Sequence, residues 1–85
     1  MELQQLFDEA VATSKTLAER PDNETLLKLY SLYKQATDGD NVGDAPSNPF
    51  DFVNKAKHNA WESLKGTTKD NAMQQYMDLV KQLKG

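Results

Sequence analysis

Four stretches of this chain repeat their apolar residues at three- and four-residue spacing, and a long run of Gly, Asp, Asn and Pro separates the second stretch from the third. That combination directs the chain toward helices packed on helices. Leu3, Leu6, Phe7, Ala10, Val11, Leu17 and Ala18 predict a first amphipathic helix over residues 2–18. Pro21 restricts Arg20 before it, and Asp22 or Asn23 can cap a second helix. Leu26, Leu27, Leu29, Tyr30, Leu32, Tyr33 and Ala36 then form an arc too wide for one buried face. Part of that arc is expected to line a ligand or a partner.

The run DGDNVGDAPSNP over residues 38–49 concentrates turn formers, and its length suits a connection that crosses the fold. A third helix is predicted over 52–65, with Phe52, Ala56, Ala60, Trp61 and Leu64 on its apolar side and Gly66 as its left-handed C-terminal residue. Thr67 and Asp70 stand at capping-box spacing before a fourth helix that carries Met73, Tyr76, Met77, Val80 and Leu83. Nothing alternates with the period of a strand. The expected fold is all-α, a four-helix bundle with a long loop between helices 2 and 3, in one domain over residues 1–85.

Composition narrows the chemistry. Cysteine is absent and His58 is the single histidine, so neither a disulfide framework nor a transition-metal site is expected. The spacing from Asp38 to Gly43 faintly resembles a calcium loop, but Pro49 stands where the bidentate Glu of such a loop belongs. No phosphate loop of the GxxxxGK type occurs and no Ser-His-acid arrangement is available, so a binding protein is favoured over an enzyme. The formal net charge of −3 argues against general nucleic-acid binding. No apolar run approaches the roughly 20 residues of a membrane span, and a soluble cytoplasmic protein is expected.

The charges are separated along the chain. Residues 38–51 hold Asp38, Asp40, Asp44 and Asp51 without a Lys or Arg, whereas 52–69 hold Lys55, Lys57, Lys65 and Lys69 against Glu62 alone. Tyr30, Tyr33 and Lys34 share one helical face, and Lys57 lies one turn from Trp61. Two phenols and an ammonium, answered by a second lysine and an indole, could seat a flat ring and a phosphate. Three readings remain at this level: a small-molecule binding protein, a helical module that docks a protein on its second helix, and a small enzyme.

The blocks YSLYKQATDGD, KAKHNAW and ESLKGTTKDNAM, followed by QQYM, resemble the acyl-CoA-binding proteins over almost the whole chain. The resemblance implies an up-down-down-up bundle and a non-catalytic carrier of medium- and long-chain acyl-CoA esters, one ligand per chain, with no cofactor. It further implies that Tyr30, Lys34 and Lys57 hold the ribose 3′-phosphate of coenzyme A and that Tyr33 packs on the adenine. Leu26, Leu27 and Ala56 would border the acyl chain, Tyr76 would help close the site, and Lys15 would lie near the pantetheine. A monomer is expected, with transient membrane or enzyme contacts and no stable membrane insertion. His58 stands where most members carry an aromatic residue, commonly Trp, and the loop NVGDAPSNPF is one residue longer than usual. Both departures are expected to shift packing or acyl-chain preference.

Overall fold

The computed structural model describes residues 2–41, 48 and 50–84. Helix α1 spans Glu2–Ser14, α2 Asn23–Asp38, α3 Phe52–Glu62 and α4 Lys69–Lys84, with no strand among the described residues. The expected all-α architecture of four helices is therefore the fold. Most of the expected turn run, with the Gly43 and Pro49 of the calcium-loop spacing and the extra loop residue, lies outside the described residues.

Three of the helix boundaries have local causes. Asp22 rather than Asn23 caps α2, accepting the Thr25 backbone N–H at 2.8 Å. Helix α1 ends four residues before the expected boundary. There the Ser14 hydroxyl donates to the Val11 carbonyl at 2.7 Å, and the backbone N–H groups of Lys15 and Thr16 turn back to residues three positions earlier. Such tightened bonds use up the last carbonyls and close the helix. Helix α3 also ends early, at Glu62, and continues as turns to Gly66, whose φ of 93° is left-handed as expected.

The start of α4 shifts by one residue. Thr68, and not Thr67, accepts the Asn71 backbone N–H, at 3.1 Å, while the Thr67 carbonyl accepts from the Gln35 side chain at 2.7 Å. Gln35 is fully buried, and its amide nitrogen also donates to Asp40 Oδ1 at 2.8 Å. The same carboxylate oxygen accepts the Gly66 backbone N–H at 2.9 Å. One buried amide thus ties the end of α2 to the α3–α4 junction.

The core lies between α1, α2 and α4. Phe7 of α1 packs edge-on against Tyr76 of α4 at 5.2 Å and stacks on Tyr33 of α2 at 6.0 Å, with Leu29, Leu32, Met73 and Val80 around it. Each such side chain removed from water contributes roughly 1.5–3 kcal/mol. Helix α3 contributes no fully buried residue and packs on α2 alone among the helices. It stands beside the core as a second wall, leaving an opening between itself and α2.

Candidate functional site

That opening is a cleft of about 580 Å³, walled by Leu26, Leu27 and Tyr30 of α2 and by Phe52, Val53, Ala56 and Lys57 of α3, with Arg20 and Asn23 at its α2 entrance. The walls are apolar and the rim is basic. Phe52 is 71% exposed and Val53 66%, and the face they share with Ala56 looks across the open cleft toward α2 among the described residues. Phe52 was expected on the apolar side of its helix, and it lies there. What the periodicity could not supply is that this side faces an open cleft.

A second hollow of about 270 Å³ adjoins the cleft and shares Leu26 and Tyr30 with it. Lys15, Tyr33 and Tyr76 line it with Val11, Ser14 and Leu29. Tyr33 is 40% exposed, so one side of its ring rests near Phe7 and much of the residue remains open to solvent. Tyr76 is only 4% exposed, and its hydroxyl donates to Ser14 Oγ at 3.0 Å. Its ring belongs to the core first, and only its edge reaches the hollow.

Two ammonium groups lie over aromatic rings near these hollows. Lys57 Nζ stands 5.2 Å from the centre of the Tyr30 ring, joining α3 to α2 across the cleft. Lys34 Nζ stands 5.1 Å from the centre of the Trp61 ring and 2.9 Å from Asp38 Oδ2. Both distances lie within the range where a ring quadrupole attracts a cation. The hydrogen bond from Lys34 to Asp38 holds the lysine pKa above its ordinary value, so the group is a fixed cation. Trp61 is itself held in place, its indole N–H donating to the Gly39 carbonyl at 2.9 Å.

The structure thus brings Leu26, Leu27, Tyr30, Ala56 and Lys57 to one cleft, and Lys15, Tyr33 and Tyr76 to its neighbour. Lys34 lines neither hollow and sits beside them, one turn beyond Tyr30. The sequence alone assigns no site role to Arg20, Asn23, Val53 or Asp38. For Asp38 the signal was present, since it follows Lys34 at the four-residue spacing of helical ion pairs. For Arg20 and Asn23 there was none, because their approach to α3 is set by tertiary packing.

His58, the departure from the usual aromatic, is half-buried and turned toward the end of α2. Its Nδ1 lies 3.0 Å from the amide nitrogen of Asn41, which is buried at the start of the long connection. A polar contact between α3 and that connection occupies this edge. Among the described residues, no group of three or more acidic or imidazole side chains could hold a metal, and no helix is long and apolar enough to cross a membrane.

Comparison with known proteins bears on the family and the fold. The family model described as acyl CoA binding protein matches residues 4–80. The chain is 52% identical over 77 residues to acyl-CoA-binding protein homolog 1 of Caenorhabditis elegans, covering 91% of this chain and 88% of that protein. It is 49% identical over 80 residues to enoyl-CoA delta isomerase 2 of Rattus norvegicus, covering 94% of this chain but 20% of the isomerase. The crystal structure of Oryza sativa acyl-CoA-binding protein 2 superimposes with a TM-score of 0.89 at 41% identity, over 95% of this chain and 89% of that one. A family match across nearly all of the sequence, together with the shared four-helix fold, means that the chain belongs to the acyl-CoA-binding protein family.

Proposed function

We propose that this protein is a non-catalytic cytoplasmic carrier and buffer that binds medium- and long-chain acyl-CoA esters as a monomer, one ligand per chain. The observation that carries this reading is the apolar cleft between α2 and α3, with the Lys57 ammonium over Tyr30 at its rim. The acyl chain lies along Leu26, Leu27 and Ala56. The adenine rests on the open face of Tyr33, the 3′-phosphate takes Tyr30, Lys34 and Lys57, and the pantetheine passes Lys15 and the edge of Tyr76.

The division of labour follows from the forces involved. Each methylene removed from water contributes roughly 0.8 kcal/mol, so the acyl chain supplies most of the affinity. The phosphate contacts come from lysines screened by salt, so they orient and discriminate more than they stabilise. The described residues that line the two hollows include neither carboxylate nor imidazole, the groups best suited to general acid–base work near neutral pH. Retention of the ligand, without turnover, is the chemistry these walls support.

Calorimetric titration tests the reading. Palmitoyl-CoA is expected to bind one-to-one with submicromolar affinity, coenzyme A much more weakly, and free palmitate hardly at all. Equal affinities for palmitoyl-CoA and coenzyme A would leave the cleft without a role and overturn the assignment. Release of free coenzyme A on incubation with palmitoyl-CoA would show that the protein is an enzyme.

A further inference from the structure

Lys34 already has an anion. Its Nζ lies 2.9 Å from Asp38 Oδ2 with both side chains partly open to solvent, 33% exposed for the lysine and 52% for the aspartate. The Trp61 ring covers one approach to the ammonium, at 5.1 Å. A phosphate arriving at this ammonium must therefore share it with the Asp38 carboxylate or displace that carboxylate.

The pair is poorly explained as a stabiliser of the helix. Asp38 is the last residue of α2, where the helix dipole disfavours a negative charge. The order with the cation preceding the anion is also the weaker one for a four-residue helical pair. The neighbouring Asp40 is engaged elsewhere, accepting from Gly66 and Gln35. Asp38 is left as the carboxylate directed at Lys34.

We propose that Asp38 sets the affinity of the site for phosphate-bearing ligands, by occupying on Lys34 the place that the phosphate monoester of the ligand must take. This rests on the reading of Lys34 as a phosphate contact and deepens it. An internal anion makes binding an exchange. The ligand gains the lysine only to the extent that its dianion outcompetes the aspartate, which holds down the affinity for a 3′-phosphate and leaves a ligand with a neutral hydroxyl there untouched.

The test is a set of calorimetric titrations of palmitoyl-CoA and palmitoyl-3′-dephospho-CoA into the wild type, Asp38→Asn, Lys34→Ala and the double variant. Removal of an exposed ion-pair partner should tighten palmitoyl-CoA by about two- to fivefold in Asp38→Asn. The dephospho ligand should be unaffected, and the gain should vanish when Lys34 is Ala. Thermal melts should show Asp38→Asn folded with an unchanged or slightly raised Tm. An unchanged affinity in Asp38→Asn overturns the proposal, as does equal tightening of both ligands or a gain that persists without Lys34. If Lys34→Ala binds palmitoyl-CoA as well as the wild type does, Lys34 is no phosphate contact and the proposal falls with that assignment alone. Failure of the carrier reading looks different, because the wild type would then bind palmitoyl-CoA no better than coenzyme A.

Discussion

Filling the cleft should erase the dependence of affinity on acyl-chain length while leaving the nucleotide end alone. Ala56 is the smallest side chain in the cleft wall and stands between Phe52, one turn earlier, and Ala60, one turn later. A methylene lying wholly inside the cleft would contribute about 0.8 kcal/mol. The cleft is open along one side, so about half of that is realised at the least-covered positions. Each added methylene should therefore tighten binding about two- to fourfold in the wild type, until the chain outgrows the walls. In Ala56→Phe the ring occupies part of the channel and the gain per methylene should fall toward onefold.

The assay is a calorimetric series from octanoyl-CoA through dodecanoyl-CoA to palmitoyl-CoA on both proteins, with coenzyme A as the reference. Coenzyme A should bind the two equally, since the proposed acyl path, and not the proposed phosphate seat, runs along Ala56. Melting curves for the free proteins establish that the variant is folded, which is expected because no residue of α3 is fully buried. A flat series in the wild type would refute the placement of the chain in this cleft. A steep series that survives unchanged in Ala56→Phe would place the chain elsewhere on the molecule.

Lys57→Ala should weaken palmitoyl-CoA binding and flatten its dependence on salt while leaving Tm nearly unchanged; a large fall in Tm would instead make Lys57 a structural group. Tyr76→Phe removes the hydroxyl that donates to Ser14 and should cost about 1 kcal/mol, a drop of roughly 4–8 °C in Tm. No drop on melting would mean that this hydrogen bond adds nothing over solvation. The Gly66 N–H and the Gln35 amide hold the Asp40 carboxyl below the usual carboxylate value, so it stabilises the fold fully above the unfolded value near about pH 4, and that contribution is lost as pH falls through the lower folded value. Asp40→Ala should thus be less stable than the wild type at neutral pH, with a gap that narrows in strong acid, and a gap unchanged by acid in chemical unfolding would exclude the mechanism.

The helices were legible because each buries a stripe whose spacing the sequence repeats. What the repeat cannot specify is the partner of a stripe. Phe52 and Ala56 keep helical spacing whether they meet a core or an open cleft, and only the packing of α3 on α2 alone decides between the two. The ends of helices were equally underdetermined. Thr67 and Thr68 offer the same hydroxyl, yet it is Thr68 that accepts the Asn71 N–H, while the Thr67 carbonyl accepts from Gln35, distant in sequence. At the end of α1, Lys15 and Thr16 could continue the helical pattern, but their backbone N–H groups bond to Ala12 and Thr13, three residues back. The site residues on α2 were readable from spacing as a possible ring-and-phosphate seat; their roles came from resemblance to a family.

Helix α2 explains why stability and binding can vary separately in so small a protein. Leu29, Leu32 and Ala36 form its buried stripe, while Leu26, Leu27, Tyr30 and Lys34 form a second one that faces the cleft and its margin. At roughly 100° per residue the two stripes lie about two-fifths of a turn apart. The excess width of its apolar arc is thus two faces side by side, one turned to the core shared with α1 and α4 and the other to the cleft beside α3. A substitution on the second stripe removes little from the core, so under the proposed function its side chains can vary with affinity without unfolding the protein. Asp38 lies beside Lys34 on the edge of that stripe, so the charge that the helix dipole disfavours is paired with a side chain of the proposed site.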